Sequence, residues 1–356
     1  MNVFFQATRL TLPLAFFGYA LFANVTLLAS DGKAPVLPDA GLLSGGLTRD
    51  LDALYKKDLP HMGLSSSLIG AARYALLGEA RQGAIVGQNG WLFTAEELRD
   101  APSAAQMADV IATIVQAQSQ ITDIGSDLVI IPLPAKMDIA RAQAPDPQAA
   151  EALAQLYRDF TTQLAALDLT FVDARSAMQD AAEPVFFSTD THWTPQGAGL
   201  VAQAVRDQGS IGLGDLTYDQ TESVDQALTG DLISFVTSPA LAPRIGLSAE
   251  TVSIAVQIPS ETIVDIFGAG DTDIVLVGTS YSANEDWGFA DALMAALGRD
   301  VINMAQQGLG PVQPMQDYLA SADFQNTPPA LVIWEIPIRY LTDPALWPAA
   351  AEGMAP

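Results

Sequence analysis

The sequence predicts an α/β fold with a mostly parallel sheet covered on both faces, and two observations predict it. Five short runs, at residues 127–133 (DLVIIPL), 169–173 (LTFVD), 273–278 (DIVLVG), 300–305 (DVINMA) and 330–336 (ALVIWEI), carry continuous rather than alternating apolar residues, the pattern of strands buried on both sides. Between them lie stretches with apolar residues at helical spacing, and strands that alternate with helices build parallel sheets.

Each element follows in chain order. Arg9 precedes an apolar run at residues 10–28 (LTLPLAFFGYALFANVTLL), close to the ~20 residues that cross a bilayer, with the arginine on the side expected to stay cytoplasmic. No clean A-x-A site follows, which favours an uncleaved signal anchor over a cleaved signal peptide. Either way the rest of the chain is expected to be exported, to the periplasm in a Gram-negative cell. Residues 30–44, rich in Gly, Pro and Asp, read as a linker, and 47–59 and 68–77 as helices. Two short apolar runs around Asn89-Gly90 predict a hairpin over 84–94. Ser103 with Gln106 is a capping-box pair opening a helix whose core face is Met107, Val110, Ile111, Ile114, Ile121 and Ile124. Residues 148–167 form a second amphipathic helix, with Leu153, Leu156, Phe160 and Leu164 on one face. Helices are also expected at 195–208, 287–297 and 311–319. Residues 209–270 break the rhythm with alternating pieces and many turn residues, and read as an insertion over the sheet, a lid or substrate-contacting flap.

Composition narrows the chemistry. Acidic residues number 41 against 16 basic, a formal charge of −25, which excludes nucleic acid as a partner because a phosphate backbone needs a basic footprint. The absence of cysteine removes thiolate zinc sites, disulfides and a Cys nucleophile. Ligands in such sheets bind outside the carboxyl ends of strands. There Ser280 lies in GTSYS (278–282), on a tight strand-to-helix turn; by itself this motif also fits a plain helix cap. A serine nucleophile needs an adjacent base, and the chain holds two histidines, His61 and His192. His61 has no carboxylate near it in sequence. His192 follows Asp190 by two residues, just before a helix started by Thr194-Pro195. Asp190 can therefore hold the imidazole in the tautomer that accepts the serine proton. A metal site is the competing reading, but two histidines and no cysteine exclude three-His and Cys/His zinc sets; no metal and no cofactor is expected.

Taken together, DTHWT (190–194) and GTSYS (278–282) resemble the signature blocks of the alginate O-acetyltransferase family of the AlgX and AlgJ type, whose members have an SGNH-hydrolase-like domain. GQNGWLF (87–93), PLPAKMDIA (132–140) and LVIWEIPIRYL (331–341) are similar to further blocks, in family order. The resemblance implies a three-layer sandwich over residues 84–345 with insertion 209–270, after an anchor (1–30) and a linker and helical region (31–83), and before a tail (346–356). It implies a Ser-His-Asp triad on Ser280, His192 and Asp190, in an order permuted from that of ordinary SGNH hydrolases. For the oxyanion hole, the candidates are the Ser280 N–H with Gly308 or Gly310 and the side chain of Gln306 or Gln307. Tyr281 is expected to support the site, Lys136 and Arg339 to meet substrate or else to form ion pairs on this acidic protein, and Trp193, Trp91 and Trp334 to be core or to stack on sugars. The expected activity is acetylation of an exopolysaccharide, with a membrane-bound O-acyltransferase supplying the acetyl group. The acidic chain sits awkwardly with a polyanion, so a neutral polymer fits as well. A carbohydrate acetylesterase with the same triad and a non-catalytic polysaccharide-binding scaffold remain alternatives.

Overall fold

In a computed structural model, residues 2–29, 45–260 and 274–348 are described. The expected linker at 30–44, residues 261–270 of the insertion and the end of the tail lie outside them. The strands are β1 (Ala84–Val86), β2 (Leu92–Thr94), β3 (Asp127–Leu133), β4 (Tyr218–Gln220), β5 (Val224–Leu228), β6 (Glu250–Ile254), β7 (Gln257–Pro259), β8 (Ile274–Val277), β9 (Val301–Asn303) and β10 (Leu331–Pro337). The helices are α1 (Asn2–Ala29), α2 (Gly46–Asp58), α3 (Met62–Leu77), α4 (Ala104–Asp123), α5 (Lys136–Ile139), α6 (Pro147–Ala166), α7 (Ala174–Gln179), α8 (Pro195–Asp207), α9 (Ser280–Ala283), α10 (Phe289–Leu297), α11 (Val312–Leu319) and α12 (Ala322–Asn326).

Four strands form one parallel sheet in the order β3-β10-β8-β9. Because side chains alternate along a strand, β3, β8 and β10 each feed two cores, whereas edge strand β9 is half-buried at Val301 and exposed at Ile302 and Asn303, so the run at 300–305 is not buried on both sides. Val129, Ile131, Leu133, Ile274, Leu276, Leu331 and Ile333 face one way, packing with Val201, Val205 and Leu293 of α8 and α10. Leu128, Ile130, Val275, Val277, Val332, Trp334 and Ile336 face the other, packing with Ile114, Ile121, Phe160 and Met315 of α4, α6 and α11. A sheet buried on both faces needs apolar residues at every position, which is why these runs read as continuous. The run at 169–173 is reduced to one parallel bridge, Phe171 with Ile130, at the β3 edge.

Local signals translate directly. β1 and β2 pair antiparallel, with Asn89 (φ 54°) and Gly90 (φ 81°) taking the left-handed conformations of the turn. The Ser103–Gln106 capping box closes in both directions. α4 stops at Asp123, so Ile124 leaves the core face expected of it and is 39% exposed. The expected helix at 287–297 starts as a short 3-10 turn, Glu285–Trp287, and becomes α-helical after Gly288. The insertion forms two antiparallel ribbons, β4-β7 and β5-β6. α1 is helical, and Leu14, Phe16, Phe17, Leu21, Phe22 and Val25 on it are exposed. Among the described residues no helix is long and apolar enough to cross a membrane.

Candidate functional site

Ser280 sits where the sheet ends. β8 stops at Val277, Gly278 makes the turn, and Thr279 caps α9, its hydroxyl accepting from the Tyr281 N–H. Glu335 reaches across from central β10. Its buried carboxylate accepts the Thr279 N–H at 2.7 Å and the Thr279 and Ser282 hydroxyls at 3.1 Å. Burial raises the Glu335 pKa, against these donors, which lower it. A Cβ at position 278 would stand 2.5 Å from this carboxylate, so the glycine is required by close approach rather than by its backbone angle.

The other half of the site is an irregular loop. Phe186 bridges Trp193 antiparallel and the Phe187 N–H donates to the His192 carbonyl, so residues 186–193 form a small hairpin with Asp190 at its tip. Its peptide groups are satisfied by side chains from distant elements. Glu250 of β6 accepts the Ser188 and Thr189 N–H groups, and Asp231 accepts the Thr191 N–H. The Tyr281 hydroxyl donates to the Thr191 carbonyl at 2.8 Å. Lys136 donates to three carbonyls, Leu92 at 2.5 Å, Asp190 at 2.8 Å and Ser188 at 3.0 Å.

These two halves meet. His192 Nε2 lies 2.8 Å from Ser280 Oγ, and Nδ1 lies 2.6 Å from Asp190 Oδ1. Asp190 Oδ1 also accepts the His192 N–H, and Oδ2 accepts the Asp231 N–H at 2.8 Å. Burial pushes the Asp190 carboxyl up, but the imidazole and these backbone donors outweigh it and hold the pKa below its ordinary value. Burial and the Asp190 charge raise that of Asp231. The imidazole lies between Trp287, near-parallel at 5.8 Å, and the edge of Tyr281 at 4.9 Å. Asp190, His192 and Asp231 also present ligand atoms within 4.8 Å of one another, a grouping that could hold a cation; both Asp190 oxygens already accept N–H groups. His61 is elsewhere, bonded to the Tyr19 hydroxyl.

Ser280 and His192 open into a cleft of about 520 Å³, shared with Gln82, Thr94, Asp231 and Arg339. The structure departs here from several sequence expectations. Lys136 is 1% exposed and braces the loop instead of meeting substrate. Trp193 is wholly buried, its indole N–H donating to the Tyr281 carbonyl, so of its two expected roles it takes the core one and stacks on no sugar; Trp334 is core, one of its two expected roles. Gln307 and Gly308 are not among the residues lining the cleft. Their turn is tied to the Ser280 turn by one backbone bond, from the Gln306 N–H to the Gly278 carbonyl. Arg339 does line the cleft, but its guanidinium already donates to Glu96 and to the Tyr281 and Tyr340 hydroxyls. Glu335, Glu250 and Asp231 escaped the sequence reading; one signal for Glu335 was a lone carboxylate inside an otherwise apolar strand run.

The family described as SGNH hydrolase-like domain, acetyltransferase AlgX, matches residues 84–338. The probable alginate O-acetylase AlgJ of Pseudomonas aeruginosa is 34% identical over 319 residues, covering 85% of this chain and 82% of that protein. Its counterpart in Azotobacter vinelandii is 32% identical over 347 residues, 94% and 89% of the two chains. The solved O-acetyltransferase domain of Pseudomonas putida AlgJ superposes with a TM-score of 0.65 at 30% identity, covering 78% of this chain and 96% of that one. Pseudomonas aeruginosa AlgX shares the fold, with a TM-score of 0.57 at 22% identity over 73% and 67%.

Proposed function

The chain belongs to the SGNH hydrolase-like acetyltransferase family of the AlgX type and is an O-acetyltransferase of that kind, and from this premise we propose that it acetylates an exopolysaccharide through an acetyl-serine on Ser280. The observation that carries the reading is the continuous contact from Asp190 through His192 to Ser280, at 2.6 and 2.8 Å. Ser280 Oγ attacks the acetyl carbonyl of the donor while His192 Nε2 takes its proton. The imidazolium, held by Asp190, returns that proton to the departing donor oxygen. A sugar hydroxyl then loses its proton to His192 and attacks the acetyl carbon, and Ser280 leaves with the proton from the imidazolium. The Ser280 N–H, at the start of α9, is the oxyanion donor this reading uses. Arg339 contributes positive charge at the cleft wall.

The relatives are named for alginate, which makes alginate the first acceptor to test. A membrane-bound O-acyltransferase as acetyl supplier, a periplasmic location and an anchor at residues 10–28 complete the proposal; the exposed apolar side chains of α1 support the last. The decisive assay is acetyl transfer to alginate by the full chain. Ser280→Ala is expected to lower it by about 10³-fold or more; equal rates would remove Ser280 from the reaction. Acetate released at the same rate with and without alginate would instead favour the esterase. A serine-directed phosphonate that leaves Ser280 unlabelled would favour the scaffold.

A further inference from the structure

The β1–β2 hairpin touches two cavities. Its open end, at Gly83 and Thr94, lines the catalytic cleft, whereas Trp91, at its turn, lines a second cavity of about 230 Å³. Gln143, Gln179, Glu183, Met178 and Phe186 share that second wall. The volume is below the ~300 Å³ at which pockets begin to enclose a drug-sized molecule, so it fits one small ring. Its chemistry is an aromatic plate beside two amides and a carboxylate, with no Lys or Arg in the lining. That combination suits a ring with an apolar face and a rim of hydroxyl donors, and it disfavours an inward-pointing anion.

The plate is fixed in advance. Trp91 is half-buried, stacked on Phe93 at 6.2 Å between centroids, with the Lys136 ammonium 5.2 Å from its ring centre. A side chain already ordered costs little entropy when it binds. The cavity is also tied to the catalytic loop through the backbone. The Leu92 N–H donates to the Ser188 carbonyl. Phe186, in the cavity wall, opens the small hairpin whose tip carries Asp190. Four residues of extended chain separate them, at most about 13 Å.

We infer that this second cavity is a subsite for the acceptor glycan, holding one pyranose by its apolar face on Trp91 and its hydroxyls on Gln143, Gln179 and Glu183, at a distance from the residue being acetylated. The inference rests on the glycan-acetylation reading above. A polymer necessarily extends beyond its reacting sugar, and a hold outside the reacting centre raises affinity for long acceptors over short ones.

The test separates binding from chemistry. Affinity for alginate polymer and for an alginate disaccharide is measured by calorimetry on the full chain carrying Ser280→Ala, with and without Gln143→Ala/Glu183→Ala. Gln143 is half-buried and Glu183 exposed, so folding is not at stake, and Trp91→Phe provides a second variant that keeps a ring in the wall. Expected is a roughly tenfold loss of affinity for the polymer and less than twofold for the disaccharide. Equal losses for the two, no loss for either, or no binding of polymer by the parent would overturn the subsite. Failure of the triad reading would appear separately, as transfer activity that survives Ser280→Ala.

Discussion

The two halves of the site are built differently. The Ser280 turn at 278–282 is an extension of the sheet: β8 is hydrogen-bonded on both sides, to β10 and β9, and one carboxylate, Glu335, finishes the turn. The loop at 188–192, which carries Asp190 and His192, has no such ladder. Its shape is imposed by Glu250, Asp231, Tyr281 and Lys136, which come from separate parts of the chain. A ladder of backbone bonds fixes where β8 ends at any pH where the protein is folded, and the turn beyond it leans on one buried carboxylate rather than several charged groups. A loop held by buried ionisable groups depends on their charge. The second half of the site is therefore the half that substitutions and pH should disturb.

The largest effect expected is on chemistry. Asp190→Asn removes the negative charge and one of the two oxygens that accept N–H groups, frees the imidazole to take the wrong tautomer, and should lower kcat about 10⁴-fold with little change in KM, read by steady-state acetyl transfer; a loss under tenfold would remove Asp190 from the orienting role. Next, Lys136→Met leaves three carbonyls without their donor and Glu97 without a neighbouring charge. It should cost about 3 kcal/mol of unfolding free energy, measured by urea denaturation.

Acidity sharpens the contrast. Burial lowers the Lys136 pKa from 10.5 to about 8, against the charges of Glu97, Glu250, Asp190 and Asp231, which raise it. The folded chain thus releases this proton more readily than the unfolded one. Between about pH 8 and 10.5 the unfolded state holds more protons, so this group's contribution to stability rises with pH, by up to about 3 kcal/mol. Activity should move the other way, falling above about pH 8 as the brace loses its charge. Comparing parent with Lys136→Met isolates the effect: the stability gap should widen over that window while the parent's kcat/KM declines. A flat activity profile from pH 7 to 9 would break the comparison. The smallest change expected is Glu335→Gln, which keeps an acceptor for the Thr279 N–H and should cost about 1 kcal/mol, against about 3 for Glu335→Ala.

Much of the molecule was legible because its causes are local. Continuous apolar runs marked β3, β8 and β10, the Asn89-Gly90 pair marked the hairpin, and Ser103 with Gln106 marked the start of α4. The scarcity of histidine narrowed the candidate base to His192, Asp190 followed from its spacing, and the structure brings both into contact with Ser280 in one chain of hydrogen bonds. The run at 169–173 was over-read as a strand because composition reports burial, not pairing. Lys136 reads as a group to meet substrate or pair with an acid, and Trp193 as core or a sugar platform, because nothing near either residue in sequence reports what packs over it.

The sequence by itself determined the alternation of strands and helices, the caps and turns, and which residues had the chemistry to react. These depend on backbone preferences and on the burial pattern within a few residues. Only the tertiary structure decided that Lys136 and Glu335 are buried, that Glu250 and Asp231 from the insertion reach residues 188–191, and that His192 faces Ser280 across 88 positions. Those outcomes depend on which distant surfaces exclude water together, and a charge's role is fixed by the partners that remain once the water is gone.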